Sequence, residues 1–454
     1  MKPNTCRLVT LGCKVNQYET QFVKEALEAN GYREAADGEG ADLCVVNTCT
    51  VTMEGDAKSR QLIRRLHHAN PEAAIVVMGC YATRSPDTVT RLPGVRRVVT
   101  DKQRLAEGFR DFGVEHWPQG ITRFDGHQRA FVKVQDGCLL NCTYCIIPQV
   151  RPVVRSRPIA EILHEVRGLI DEGFHEIVLT GIHLGHYGLD LSKGKPKGQW
   201  QRLWHLLEKL AALPGQFRIR LSSLEAAEAR DDLARVLAGH PRIVPHLHLC
   251  LQSGSDRILA RMKRRYRSHG FLQRIERLCA VLDQPAFTTD VIVGFPGETE
   301  EDFDATLRIA RQVGFAKMHL FSYSRREDTP AAIDPEQVPP AIVRQRRERL
   351  AQLDRGLAAQ YAASLIGRKL EVLVEGVDPR NPDHVMGTSC RYVTVSLPGK
   401  PERMVKQLVQ VCGQRVEAGV ILASPVAPAG PDLPARLAPP AERATRWELP
   451  LIAG

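Results

Sequence analysis

No stretch of this sequence approaches the roughly 20 consecutive apolar residues that a membrane-spanning helix needs, so it predicts no contact with the interior of a membrane. The N-terminus, MKPNTCRLVTLGCKVNQYE, also lacks the apolar segment of about 7–15 residues and the small-residue cleavage site of a secretory signal. We therefore expect a cytoplasmic protein. At 454 residues the chain exceeds what one hydrophobic core usually supports, which predicts two to four domains.

Acidic residues are outnumbered, because 62 Lys and Arg face 52 Asp and Glu, a formal net charge of +10. A basic balance favours an anionic partner such as nucleic acid. Two segments concentrate the charge: 257–277 holds eight Lys and Arg with one acid, and 343–349 reads VRQRRER. Each segment could equally be the solvated face of a helix.

Apolar runs of strand length occur at 7–13, 41–49 and 73–80, separated by helical patterns such as the one at 17–30. This alternation predicts a parallel α/β sheet, whose strands present their carboxyl ends along one edge. Each of the three predicted strands ends in a cysteine: Cys13, Cys49 and Cys80.

A longer alternation predicts a partial (β/α)6 barrel, with strands at 131–137, 176–181, 217–223, 244–252, 287–294 and 316–323. An Arg- and Ala-rich helix at 341–365 follows, and short β-type runs then predict a small barrel. The expected fold class is α/β, with domains at 1–105 and 129–340, a linker at 106–128, a connecting helix at 341–366, a small β-barrel at 367–424 and a disordered Pro- and Ala-rich tail at 425–454.

Twelve cysteines is a high number for a protein in a reducing compartment, where spaced cysteines more often bind metal or do chemistry than form disulfides. The strongest signal is GCLLNCTYC directly after a predicted strand, which places Cys138, Cys142 and Cys145 in a C-x3-C-x2-C spacing. Three thiolates on one loop can hold three irons of a [4Fe–4S] cluster and leave the fourth iron open. Half of a zinc site is the alternative, but no fourth ligand follows at zinc-like spacing.

Cys13, Cys49 and Cys80 are far apart in sequence, yet the predicted sheet brings them to one edge, where they could hold a second cluster with an open iron. The alternative is three buried cysteines at strand ends. Core packing is the expectation for the remaining six, which show no ligand spacing: Cys6, Cys44, Cys250, Cys279, Cys390 and Cys412.

The C-x3-C-x2-C loop at the end of the first strand of a six-fold β/α chain resembles the radical S-adenosylmethionine enzymes. In that superfamily the open iron chelates S-adenosylmethionine, and reduction cleaves it to a 5′-deoxyadenosyl radical. With the motifs LGC, NTC and GCYA, which contain Cys13, Cys49 and Cys80, the sequence resembles the methylthiotransferases over about residues 1–424. Further motifs of this resemblance are LTGIHLGHYG at 179–188, RLSSLE at 220–225, LCLQSGSDRIL at 249–259 and DVIVGFPGET at 290–299.

The resemblance implies two [4Fe–4S] clusters on the six cysteines and two molecules of S-adenosylmethionine, one as methyl donor and one as radical source. It also implies an electron donor such as flavodoxin or ferredoxin, and a sulfur donor. Residues at strand ends would line the cofactor pocket by the family pattern: Tyr144, Gly181, Ser223, Glu225, Gln252, Gly294 and Pro296. Structural roles as turns or caps are the alternative for each of them.

The motifs look most like the branch that adds a methylthio group to C2 of N6-threonylcarbamoyladenosine at position 37 of tRNA. The alternatives are N6-isopentenyladenosine at the same position, an aspartate of a ribosomal protein, and a non-enzymatic RNA-binding iron–sulfur protein. The small barrel resembles the TRAM module, with Tyr392 as the one aromatic in its strands, so we expect the anticodon stem-loop of tRNA as partner. One departure is Pro152, where the family usually has glycine; Arg151, Arg155 and Arg157 keep that loop basic.

Overall fold

A computed structural model describes residues 4–426 of the chain. The predicted tail at 425–454 lies almost wholly outside these residues. Within the described range no helix is both long enough and apolar enough to cross a membrane.

The N-terminal part is a five-stranded parallel sheet in the order β2-β1-β3-β4-β5. Two of the three inner strands, β3 and β4, are almost entirely buried because helices cover both faces of the sheet, as their continuous apolar runs predict. The strands end before the cysteines rather than at them. The elements are β1 (Thr5–Thr10), α1 (Lys14–Ala29), β2 (Arg33–Glu34), β3 (Leu43–Thr48), α2 (Met53–Ala69), β4 (Ala74–Gly79), α3 (Cys80–Arg84), α4 (Pro86–Thr90), β5 (Val95–Val98) and α5 (Leu105–Phe109).

The central part holds the six predicted parallel strands, divided between two four-stranded sheets, β7-β6-β8-β9 and β10-β11-β12-β13. The predicted strand at 217–223 is divided in the structure: β9 ends at Leu221 in the first sheet, and the two-residue β10 that follows belongs to the second sheet. An isolated β-bridge between Ile219 and Ile243 lies at this boundary between the sheets. The strands are β6 (Ala130–Asp136), β7 (Arg155–Ser156), β8 (Glu176–Gly181), β9 (Arg218–Leu221), β10 (Leu224–Glu225), β11 (His246–Cys250), β12 (Ala286–Val293) and β13 (Lys317–Ser322). The helices are α6 (Ile147–Val150), α7 (Ile159–Asp171), α8 (Leu203–Ala211), α9 (Asp231–Gly239), α10 (Asp256–Arg261), α11 (Ser268–Val281) and α12 (Glu300–Val313).

A long helix, α13 (Pro340–Ser364), leads to a closed five-stranded barrel in the order β14-β15-β16-β18-β17. The expected α/β fold class with a small C-terminal barrel is confirmed, whereas the likeness to a TRAM module stays a prediction. The last elements are β14 (Lys369–Asp378), β15 (Asn381–Ser389), β16 (Thr394–Pro398), α14 (Pro401–Met404), β17 (Leu408–Glu417) and β18 (Val420–Pro425).

A buried ion-pair group fixes the small barrel to the central sheet. Glu176, which is fully buried, accepts hydrogen bonds from Arg218 (2.6 Å) and Arg220 (2.7 Å). The two guanidinium groups donate in turn to backbone carbonyls of the barrel, at Thr388 (2.8 Å) and Ser389 (3.0 Å). Because Arg218 and Arg220 both bond to Glu176 and each also bonds to a backbone carbonyl of the barrel, the position of the barrel on the central sheet is fixed.

Candidate active site

Three cysteines, Cys13, Cys49 and Cys80, converge at the carboxyl edge of the N-terminal sheet. Cys13 caps the start of α1, Cys49 follows β3, and Cys80 is the first residue of α3. A Cβ atom added to Gly12, whose φ is +109°, would lie 3.0 Å from the Cβ of Cys49, so glycine lets the turn before Cys13 pass against Cys49. Burial raises the pKa of the Cys49 thiol, and the neighbouring Cys80 and Cys13 thiols raise it further.

Arg151 connects this edge to the central barrel. Its Nε lies 3.5 Å from the Cys80 sulfur, and its Nη1 donates to Glu19 (2.8 Å) and Asp136 (2.8 Å). Asp136 ends β6, two residues before Cys138. Arg151, one of the three arginines that keep this loop basic, thus has a side chain that is only 1% exposed and joins the two cysteine sites.

The second cysteine triad lines a cavity at the carboxyl end of β6. Cys138, Cys142 and Cys145 share this cavity with four of the seven predicted cofactor residues: Tyr144, Ser223, Glu225 and Gln252. Gln252 has the unusual φ of +60° and is held by backbone hydrogen bonds to β12. The geometry thus brings these residues around the three thiols, as the family pattern requires.

The other three predicted cofactor residues, Gly181, Gly294 and Pro296, are not among those that line this cavity. A Cβ on Gly181 would lie 2.9 Å from Gln135 Oε1, and one on Gly294 would lie 2.4 Å from Val343 Cγ2. Both glycines are thus needed for close packing between elements, and a cofactor role for all three stays a prediction.

Two polar residues of the cavity were missed by sequence reasoning. Arg264 Nη1 lies 3.3 Å from the Cys142 sulfur, and His183 Nδ1 lies 3.7 Å from the Cys138 sulfur. Burial lowers the pKa of His183, but Cys138 and Glu228 outweigh burial and raise it to about 9. In the sequence, only its position in the LTGIHLGHYG motif could have indicated that His183 belongs to the site. Arg264 was noted only as one of the cations of the basic segment 257–277.

Both triads suit an iron–sulfur cluster. A tetrahedral zinc ion holds sulfur ligands at about 2.3 Å, which keeps them within about 4.6 Å of one another. In the described part of the chain neither triad has all three sulfur atoms within 4.8 Å of one another, so neither set of three thiols matches a single tetrahedral zinc ion. The cavity also contains a buried carboxylate oxygen without a hydrogen-bond partner, Oε1 of Glu225, which is available to a polar ligand such as S-adenosylmethionine.

Among the other six cysteines, Cys6, Cys44 and Cys390 are buried, as expected for core packing. Cys279 contradicts that expectation because it is exposed on α11. Cys250 also differs, since it lines the cavity of the second triad, with its sulfur 3.8 Å from Asp290 Oδ2. Its place at the end of β11 explains the difference, because strand ends border the site.

Most cations of the two basic segments are already paired. In the first, Arg257 pairs with Asp302, Arg261 with Asp334 (2.7 Å), and Arg277 with Asp231 (3.4 Å). In the second, Arg346 pairs with Glu298 (3.0 Å) and Arg349 with Asp304 (3.1 Å). Seven of the twelve cations in the two segments are paired and the rest make no ion pair among residues 4–426, so a role of these segments in binding an anionic partner stays a prediction.

Tyr392 is likewise not a free aromatic. Its ring stacks on His246 with centroids 4.5 Å apart, and the Arg220 guanidinium lies 5.3 Å from its centroid. The tyrosine thus helps to seat the small barrel on the central sheet.

The fold and the three-thiol cavity define a radical S-adenosylmethionine protein. Family models agree: residues 132–310 match the radical SAM superfamily, and residues 5–101 match uncharacterized protein family UPF0004. A solved radical S-adenosylmethionine methyltransferase from Kitasatospora setae, TsrM, has the same fold with a TM-score of 0.53, at 15% identity over 73% of this chain and 77% of that one.

Curated relatives of the chain show which kind of radical S-adenosylmethionine protein it is. The chain is 39% identical to a threonylcarbamoyladenosine tRNA methylthiotransferase of Chlamydia pneumoniae, over 91% of this chain and 96% of that one, and 38% identical to the Bacillus subtilis protein of the same name, over 88% and 92%. It is 34% identical to a tRNA-2-methylthio-N(6)-dimethylallyladenosine synthase of Desulfitobacterium hafniense, over 89% and 94%. The chain belongs to the methylthiotransferase family of radical S-adenosylmethionine enzymes that modify tRNA.

Proposed function

We propose that this enzyme adds a methylthio group to C2 of N6-threonylcarbamoyladenosine at position 37 of tRNA, and that it uses two molecules of S-adenosylmethionine and two [4Fe–4S] clusters. The observation that carries the proposal is the convergence of six cysteines into two triads joined through Arg151. Cys138, Cys142 and Cys145 would hold the cluster that binds S-adenosylmethionine, and Cys13, Cys49 and Cys80 the auxiliary cluster. When bound, these groups supply the one-electron chemistry, the methyl group and the sulfur.

The chain's own residues would prepare the site for that chemistry. Arg264, beside Cys142, places a fixed positive charge against a thiolate ligand, which stabilises the thiolate form. Burial raises the pKa of the Cys142 thiol, and Arg264 opposes that rise. Glu225 and Gln252 face the same cavity and would orient the cofactor's polar groups.

The two triads must act on one substrate, which explains why they are rigidly connected. Arg151 is bonded both to α1, which directly follows Cys13, and to the end of β6, which leads to Cys138. A guanidinium group held at four or more polar atoms leaves little freedom between the two halves of the site. The base to be modified would lie between them.

We further propose the division into domains at 1–105, 129–340 and 367–424, with the small barrel contributing to the binding of the anticodon stem-loop. An electron donor such as flavodoxin or ferredoxin and a separate sulfur donor complete the reaction. Isopentenyladenosine is the second candidate substrate, supported by the 34% identity to the dimethylallyladenosine enzyme.

The test is nucleoside mass spectrometry after anaerobic reconstitution with iron and sulfide. The protein is incubated with S-adenosylmethionine, a reductant and tRNA carrying either hypermodified adenosine. Methylthio on the threonylcarbamoyl form alone is the expected result, and methylthio on the isopentenyl form alone would refute the substrate. About four rather than about eight irons per chain would refute the second cluster.

A further inference from the structure

A second cavity lies inside the partial barrel, next to the cavity of the cysteines. Ser223 lines both cavities. Asp290 lines the second one, and its Oδ2 is 3.8 Å from the sulfur of Cys250 in the first. The two cavities are therefore neighbours that share part of their lining.

Basic side chains form much of the lining of the second cavity. One carboxylate, Asp290, lines it together with six basic residues: Lys14, Arg129, Arg220, His246, His248 and His319. Which of these residues carries an unpaired charge decides whether the cavity favours an anion.

Most of these basic groups already form ion pairs or hydrogen bonds with other side chains of the protein. Arg220 bonds to Glu176 (2.7 Å), Arg129 pairs with Glu375 (2.9 Å), and His248 lies 3.3 Å from Asp290. Lys14 is exposed, and among residues 4–426 no carboxylate lies within the 4.0 Å of an ion pair from its ammonium. Its Nζ is 5.9 Å from the centroid of the Phe131 ring, which holds it near the cavity without neutralising it.

Polar atoms around this cavity also lack partners. His246 Nδ1 and Ser222 Oγ are buried and make no hydrogen bond in the described structure, whereas His248 Nε2 lies 3.3 Å from Asp290 Oδ1. His246 and His248 are themselves 4% and 9% exposed. Because buried polar groups are almost always satisfied, the two unpaired atoms on this cavity indicate a polar ligand.

Burial and nearby positive charges lower the pKa values of two histidines in this cavity. Burial lowers the pKa of His319, and the charges of His248, Lys317 and Lys14 lower it further. Burial, Arg220 and His248 act in the same way on His246. Both rings are therefore uncharged at neutral pH, which leaves Lys14 as the unpaired cation at this wall.

We propose that the second cavity binds the carboxylate of the threonylcarbamoyl substituent, and that Lys14 is the residue that recognises it. This inference rests on the proposed function. Lys14 follows Cys13 directly, so it lies where the auxiliary thiols meet the barrel and where the base must be placed. The threonylcarbamoyl group carries a carboxylate, whereas the isopentenyl group is an uncharged hydrocarbon, so one cation can discriminate between the two.

The test compares two RNA stem-loops, one with N6-threonylcarbamoyladenosine and one in which the threonine carboxylate is replaced by the primary amide. Each is assayed for methylthio product with the wild type, Lys14→Gln and Lys14→Arg. With the wild type, the amide should lower kcat/KM by about 10- to 100-fold, the range for a hydrogen bond to a charged group. With Lys14→Gln that difference should fall to within about threefold, and Lys14→Arg should restore most of it.

Lys58→Gln is the matched control, since Lys58 is an exposed lysine of the N-terminal part that pairs with Glu54 away from both cavities. It should keep the wild-type preference for the carboxylate. If Lys14→Gln lowers kcat/KM for both RNAs equally, Lys14 serves the nearby cysteine site and not the carboxylate, and the inference is wrong. Iron content per chain, measured for each variant, reports on that site independently.

Failure of the proposed function has a different signature. In that case the wild type itself forms no methylthio product on the threonylcarbamoyl stem-loop. A wild type that modifies the carboxylate and amide forms equally well would leave the function intact and overturn the carboxylate site.

Discussion

Replacing Arg151 by methionine tests the connection between the two halves of the site. Arg151 is 4% exposed and donates to Glu19 at 2.8 and 2.9 Å, to Asp136 at 2.8 Å and to Asn16 at 3.1 Å. The substitution leaves two buried carboxylates with Lys133 as their remaining cation. Breaking a buried pair by removing one partner costs about 3–5 kcal/mol.

The cost translates into a large thermal shift. For a cooperative unit of about 150–250 residues, each kcal/mol lowers the melting temperature by about 2–4 °C, so Arg151→Met should melt about 6–20 °C below the wild type. Differential scanning fluorimetry at pH 7.5 under anaerobic conditions measures it. The reconstituted variant should also form methylthio product more slowly, because the thiol sites are no longer held together.

Arg104→Met is the control for removing an arginine ion pair at the surface. Arg104 and its partner Glu107 have side chains 63% and 46% exposed, and such pairs contribute about 0–1 kcal/mol. This variant should melt within about 2–3 °C of the wild type. If Arg151→Met melts as close to the wild type as Arg104→Met does, the buried network does not connect the two halves as argued.

Three further predictions follow from the same contacts. Burial raises the pKa of Glu19, but its cationic partners outweigh burial and lower that pKa to about 2. Ionised Glu19 therefore contributes on the order of 3 kcal/mol to the free energy of unfolding above pH 4.5, and this contribution is lost as the pH falls toward 2. The melting temperature of Glu19→Gln should depend less on pH between about pH 5 and 3 than that of the wild type. Cys49→Ala should reduce reconstituted iron from about eight to about four per chain, whereas the exposed Cys279→Ala should not, and equal iron in both variants would contradict the auxiliary triad. Glu176→Gln should destabilise by about 3–5 kcal/mol and speed proteolytic release of the small barrel, whereas the exposed Glu172→Gln should do neither.

The sequence alone determined the elements and the chemistry-bearing residues. The continuous apolar runs predicted β1, β3 and β4 of the N-terminal sheet and the six parallel strands of the central part to within a few residues, because buried parallel strands carry a strong local signal. The short strands β2, β5 and β7 lack such runs and were not predicted. The C-x3-C-x2-C spacing identified the cavity of Cys138 without any knowledge of the fold, since three ligands on one loop are adjacent in any conformation.

Only the tertiary structure decided which charges are free. Arg151, Arg264 and Arg346 look alike in the sequence, yet one joins two cysteine sites, one faces a thiol, and one is buried against Glu298. Their partners lie between 15 and 135 residues away, so no local pattern could have found them. The same holds for Lys14, whose place at the barrel cavity depends on how the first sheet packs against the second. Pairing of charges is a property of the packed chain, because it depends on distances and burial that only the assembled fold creates.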